Sequence, residues 1–225
     1  MSDAKPLRLG TRASALARWQ ANWVAGQLDE AGVPVETILI TTQGDARSGP
    51  IGALGAQGVF TKEIQKALVD ERIDLAVHSL KDLPTDPVAG LVLAAVPPRE
   101  SPGDVLVSNS ADSFEALAEG ARVGTGSMRR RAQLLHQRGD LDVSDIRGNV
   151  DTRLHQLDEG KFDAILLAEA GLRRLGLEDR ITQPLPRSWM LPAVGQGALG
   201  LETRAGDAVT RARIASLNDP NTHHS

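Results

Sequence analysis

The chain has 225 residues, a formal net charge of −4 and no cysteine, a length that suits one large or two small domains at about 100–200 residues each. Within these residues the missing thiols exclude structural disulfides, thiolate-zinc sites, iron–sulfur clusters, a cysteine nucleophile and a cofactor carried on a protein thioether. Aromatic content of 3% argues against base-stacking platforms for single-stranded nucleic acid, whereas 20 Arg against 5 Lys supply the side chain suited to bidentate capture of carboxylate or phosphate.

In chain order, the apolar pattern predicts strands at 7–10 and 36–41 around a helix at 14–31, then a helix at 61–71 and strands at 75–78 and 91–96. Strands at 105–107, 123–124, 143–146 and 164–168 follow, interleaved with helices at 114–118, 128–138, 150–159 and 170–175, and a last helix covers 208–217. Leu16, Trp19, Trp23, Val24 and Leu28 recur at near-helical spacing, which marks them as core residues of the first helix. This alternation predicts an α/β fold of doubly wound, mainly parallel sheets. Two Pro/Gly-rich breaks, Pro97–Gly103 and Leu191–Gly197, divide it into residues 1–98 plus 198–217, residues 103–194 and a tail at 218–225, with a cleft expected between two lobes. No internal repeat is visible. The polar first six residues carry no signal peptide, and apolar runs such as 91–96 fall far short of the about 20 residues of a membrane span. A soluble, cytoplasmic protein is expected.

Three strand-to-helix turns could hold anions. Thr11-Arg12-Ala13-Ser14, Gly124-Thr125-Gly126-Ser127-Met128-Arg129-Arg130 and Arg147-Gly148-Asn149-Val150-Asp151-Thr152-Arg153 combine glycines or hydroxyls at a helix start with arginine. Free amides at a helix start favour an anion, and the carboxyl ends of strands are where open α/β sheets bind ligands. Each turn taken alone also fits an ordinary helix cap with a solvated arginine. His78-Ser79-Leu80-Lys81-Asp82-Leu83-Pro84 places a carboxylate at a strand end, readable as a surface ion pair or as a general acid–base among cations. His78 itself reads as a satisfied strand-end residue. Gly52–Phe60 reads as a loop or lid rather than a dinucleotide fingerprint, and the histidines lack metal-ligand spacing outside the terminal pair, so no metal is expected.

These motifs, with Ala170-Gly171-Leu172-Arg173-Arg174-Leu175-Gly176 and Leu191-Pro192-Ala193-Val194-Gly195-Gln196-Gly197-Ala198, occur in an order that resembles the porphobilinogen deaminase (hydroxymethylbilane synthase) family from about Leu7 to Leu217. The resemblance implies two lobes similar to type II periplasmic binding proteins. It also implies the head-to-tail condensation of four porphobilinogen molecules, with loss of ammonia, on a dipyrromethane primer. By that resemblance Asp82 is the catalytic carboxylate, hydrogen-bonding pyrrole N–H groups and stabilising the cation that forms as ammonia leaves. Arg12, Ser14, Ser79, Lys81, Thr125, Ser127, Arg129, Arg130, Arg147, Arg153, Arg174 and Gln196 match positions that hold substrate or primer, and Gln57 and Phe60 match the lid. A growing oligopyrrole carries about a dozen carboxylates, which suits an arginine-rich site. The implied partners are porphobilinogen and the oligopyrrole, with no nucleic acid or membrane and a monomeric state.

The family has a third domain whose cysteine anchors the primer through a thioether. This sequence ends at Ser225 without a cysteine, and Gln57 stands where the family commonly has lysine. The expectation is therefore a non-covalently held primer. A fragment of a longer enzyme and a non-catalytic anion-binding module are the competing expectations.

Overall fold

The computed structural model describes residues 5–41 and 61–223, so Gln57 and Phe60 lie outside the described residues. In chain order the elements are β1 (Leu7–Thr11), α1 (Ala15–Glu30), β2 (Val35–Leu39), α2 (Lys62–Val69), β3 (Leu75–Ser79), a 3-10 turn at Leu80–Asp82 and β4 (Leu91–Ala95). Then come β5 (Asp104–Ser108), β6 (Arg122–Gly124), α3 (Met128–Gln137), β7 (Asp142–Ser144), α4 (Val150–Asp158), β8 (Ala164–Ala168), α5 (Glu169–Arg174) and β9 (Gln183–Pro184). The chain closes with β10 (Leu199–Arg204), α6 (Ala208–Ile214) and α7 (Pro220–His223). It divides into two compact units, residues 1–100 with 198–225 and residues 101–197.

Each unit is built on one five-stranded sheet, in the order β2-β1-β3-β10-β4 or β7-β6-β8-β5-β9. β1 pairs parallel with β2 and β3, while β10 pairs antiparallel with β3 and β4. In the second unit β6 pairs parallel with β7 and β8, while β5 pairs antiparallel with β8 and β9. The expectation of mainly parallel sheets therefore holds for one half of each sheet; both sheets are mixed. The first strand after each passage between units, β5 or β10, inserts against the last parallel strand. The two sheets thus share one order and one sense of strands, a repetition of topology without a repeat in sequence.

Strand alternation sends successive residues to opposite faces. Leu75 and Val77 of β3 join Val24, Leu28, Leu201 and Ile214 on one face of the first sheet, and Ala76 joins Ile64, Leu68 and Ile73 on the other. In the second unit Leu166 of β8 faces Val123, Leu134 and Met190, and Ile165 and Leu167 face Ile146, Leu154 and Leu172. Ser14 caps α1, and Gly32, at φ +75°, ends it while Val33 N–H donates back to Leu28 O at 2.8 Å.

Three sequence expectations change. Within α1 the buried stripe is Gln20, Ala21, Val24 and Leu28, whereas Leu16 and Trp23 are half-buried and Trp19 is exposed. Residues 114–118 form no helix: Phe114 and Leu117 reach the core from turns, a spacing that one turn satisfies as well as a helix would. β9 and β10 escape the pattern because β9 is two residues long and β10 buries Glu202 and Thr203. Among the described residues no helix is long and apolar enough to cross a membrane.

Candidate functional site

β1 and β3 lie side by side and parallel, so the turns leaving their carboxyl ends open on one edge of the first sheet. That is the edge where open α/β sheets place ligands. After β1, Thr11 Oγ1 donates to Ala17 O at 3.0 Å, Arg12 follows, and Ser14 Oγ accepts the Ala17 N–H at 3.4 Å. After β3 come Ser79 and the exposed Lys81 and Asp82, on a turn pinned by Leu80 N–H to Ala198 O at 3.0 Å. Arg12, Ser14, Gln20, Thr61, Ser79 and Asp82 all line one cavity of about 80 Å3. The sequence-predicted acid–base, cation and hydroxyls of this unit thus come together around one space. Gln20 Nε2 donates to Ser79 Oγ at 2.9 Å and orients it. His78 is buried, with Nε2 3.0 Å from Glu202 Oε2, and Gln65 Nε2 donates to Glu202 Oε1 at 3.0 Å. It is a satisfied interior group.

The second unit repeats the device. After β6, Thr125 is buried and its Oγ1 accepts the Ser127 N–H at 3.2 Å, while Ser127 Oγ accepts the Arg130 N–H at 3.4 Å and caps α3. Ser14 and Ser127 hold equivalent places, each capping the helix that leaves the first parallel strand of its sheet. After β7, Asn149 caps α4, Arg153 Nε donates to Gly148 O at 2.8 Å, and Arg147 Nη2 pairs with the exposed Asp145 at 2.7 Å. A Cβ on Gly126 would lie 3.0 Å from Ile146 O, a tight contact, so glycine suits the close packing of the two turns. After β8, Arg174 on α5 is buried and its Nη2 donates to Gly197 O at 2.6 Å.

Arg130 and Gln196 are engaged inside this unit. Asp104, at the start of β5 and 0% exposed, accepts Arg130 Nε at 3.0 Å and Nη2 at 2.7 Å, and Gln196 Nε2 at 2.8 Å. Arg129 Nη2 lies 2.7 Å from its other oxygen. Arg130 Nη1 donates to Leu166 O at 3.0 Å, and Gln196 Nε2 also reaches Pro102 O at 2.7 Å. Burial pushes the Asp104 carboxyl up, but Arg130 and then Arg129 outweigh it and hold it below its ordinary value. Arg130, Arg174 and Gln196 therefore fasten the segments by which the chain enters and leaves this unit.

Sequence reasoning missed Gln20, Thr61, Asp104 and Glu202. Gln20 carried a signal, as a polar residue on the apolar stripe of α1, and Asp104 another, as a carboxylate heading the run Val105-Leu106-Val107. Thr61 and Glu202 carried none.

Comparison with known proteins then fixes the lineage. The family model described as "Porphobilinogen deaminase, dipyromethane cofactor binding domain" matches residues 7–212. The porphobilinogen deaminase of Syntrophotalea carbinolica is 52% identical over 223 residues, covering 98% of this chain and 71% of that protein. Those of Geobacter sulfurreducens (49%; 97% and 70% covered) and Acidithiobacillus ferrooxidans (52%; 97% and 72% covered) are similarly close. Among solved structures, a putative methionine-binding lipoprotein of Bacillus subtilis matches at TM-score 0.59 and 13% identity over 98% of this chain and 93% of that one. A periplasmic substrate-binding protein of Coxiella burnetii matches at 0.59 and 15%, over 97% and 94%. These two likenesses establish the α/β fold of the type II periplasmic binding proteins and nothing more. With its ordered motifs, its matched domain and relatives of about half-identical sequence along nearly its whole length, the chain belongs to the porphobilinogen deaminase family.

Proposed function

We propose that Asp82 is the acid–base of this porphobilinogen deaminase. In the same reading, Arg12, Ser14, Ser79 and Lys81 of the first unit, and Thr125, Ser127, Arg129, Arg147 and Arg153 of the second, bind the carboxylates of pyrrole units. The observation that carries it is the placement of Asp82 and Arg12 at the carboxyl ends of adjacent parallel strands, around one cavity. Arg130, Arg174 and Gln196 belong to the site as anchors of the segments beneath it.

The chemistry needs this arrangement. When porphobilinogen loses ammonia, its C–N bond breaks and positive charge spreads over the pyrrole. A C–C bond to the acceptor ring follows, and the acceptor's α-hydrogen leaves as a proton. Asp82 accepts pyrrole N–H groups, offsets the developing charge and receives that proton. Each pyrrole brings two carboxylates, which match arginines and cap hydroxyls at helix starts.

Dipyrromethane, when bound, supplies the pyrrole terminus that is extended. The donor set fits it, because Ser127, Arg129, Arg147 and Arg153 line the carboxyl edge of β6 and β7 with groups that favour anions. These 225 residues contain no cysteine, so what they offer the primer is charge and hydrogen bonding. The same reading has the protein act as a cytoplasmic monomer without nucleic-acid or membrane partners.

Asp82→Asn tests it. Hydroxymethylbilane formation and ammonia release should fall by about 10²-fold or more, while porphobilinogen binding changes by less than about fivefold. Activity within about tenfold of the native protein would remove Asp82 from the chemistry.

A further inference from the structure

Thr61 precedes α2 in the capping position but makes no capping hydrogen bond, and its backbone is helical at φ −115°, ψ −27°. The residue is 1% exposed, and its Oγ1 finds no hydrogen-bond partner among the described residues. A hydroxyl offers one donor and two acceptor sites, and burying all of them unused is unfavourable. The helix beside it takes the backbone carbonyl instead, through Gln65 N–H to Thr61 O at 2.8 Å. Thr61 nevertheless lines the cavity shared by Arg12, Ser14, Ser79 and Asp82.

We propose that Thr61 is a further substrate-contacting residue, whose hydroxyl donates to a carboxylate of the pyrrole unit held in this cavity. This rests on the reading of the cavity as the pyrrole site. Arg12 and the Ser14 hydroxyl favour an anion in this cavity, and a ligand carboxylate satisfies a buried hydroxyl that the described residues leave unpaired. Ile64 and Val77 line the same cavity and offer the Thr61 oxygen no side-chain partner.

The assay is calorimetric titration of porphobilinogen into the full chain in the Asp82→Asn background, where turnover does not consume the probe, together with melting of each ligand-free variant. Thr61→Val keeps the shape and removes the hydroxyl; Thr61→Ser keeps the hydroxyl. The expected result is a Kd raised roughly five- to tenfold by Thr61→Val and held within about twofold by Thr61→Ser, with the Tm of ligand-free Thr61→Val equal to or above the parent. In the Asp82-intact enzyme, Thr61→Val then raises KM and leaves kcat nearly unchanged. A native Kd in Thr61→Val, while Arg12→Ala weakens binding more than about tenfold, overturns the proposal and leaves the site standing. Native binding in both Thr61→Val and Arg12→Ala overturns the site itself. A Tm lowered by more than about 5 °C in ligand-free Thr61→Val shows the hydroxyl already satisfied within the protein and also overturns the proposal.

Discussion

Asp104→Asn keeps the outline of a buried side chain and removes its charge. Asp104 is 0% exposed and the Arg130 side chain 7% exposed, so the substitution strands a guanidinium with no route to water. The amide also turns one oxygen into an N–H donor, facing either Arg129 or the bonds from Arg130 and Gln196. Removing one partner of such a pair costs about 3–5 kcal/mol. For a chain of this length that is a fall in Tm of roughly 6–20 °C. The pH dependence has a defined sign. The arginines hold the folded carboxyl below its ordinary value of 3.8 although burial alone would raise it. The contribution is therefore fully present above that value and is lost as pH falls through the folded one. Urea melts of native and variant proteins should differ by a constant amount from neutral to mildly acidic pH, and the gap should close in stronger acid. Asp104→Leu combined with Arg130→Met should recover much of the loss, because Arg129, 26% exposed, can turn to solvent. A single-variant loss under about 1 kcal/mol, or a double variant as unstable as the summed singles, would refute this account.

Asp74 supplies a second pH test. Burial raises its carboxyl, but hydrogen bonds from Arg8 and Arg204 bring it down to about 2, so its advantage over Asp74→Asn should be full above 3.8 and shrink as pH falls toward 2 in urea melts. Glu71 sits at φ +56° just past Asp70, the C-cap of α2, a conformation that favours glycine, and Glu71→Gly should raise stability by about 0.5–1 kcal/mol without changing KM. Gly126→Ala should cost about 1–3 kcal/mol and, on the proposed reading of the anion sites, raise KM for porphobilinogen, because its Cβ would press on Ile146 O and push the turns after β6 and β7 away from each other. Thermal melts and initial rates check both.

The parallel halves of both sheets were legible because their strands are short apolar runs followed by capped helices: Leu7–Thr11 before Ser14, Arg122–Gly124 before Ser127. In the antiparallel halves β4 and β5 were legible as apolar runs, whereas β9 and β10 were not. β10 reads Leu-Gly-Leu-Glu-Thr-Arg, and its interior glutamate is tolerated only because His78 and Gln65, far away in sequence, meet it. A strand whose burial depends on distant partners leaves no local period to read. The site divides in the same way. Arg12, Ser14 and Asp82 lie on turns whose chemistry is local, and the structure gathers them. Arg130 and Gln196 look from sequence like further ligand-binding residues, yet a single carboxylate at the head of β5 engages both.

Burial also decides which arginines an anionic ligand can use, and so how a chain of net charge −4 accommodates a polyanion. Arg8 and Arg204 share Asp74, and Arg122, Arg138 and Arg180 each meet a carboxylate within 3.1 Å. These pairs neutralise charge where no ligand is proposed. The Arg130–Asp104 pair is fully desolvated, so a ligand carboxylate there has to displace bonds that the fold itself depends on. At Arg147 the balance is opposite. Its partner Asp145 is 59% exposed and the arginine 38%, and a pair so solvated contributes about 0–1 kcal/mol. A pyrrole carboxylate offering bidentate contact can replace Asp145 there at little cost, because the displaced aspartate returns to water. The ordering Arg147 before Arg130 in sensitivity of KM, and Arg130 before Arg147 in sensitivity of Tm, follows from that difference alone.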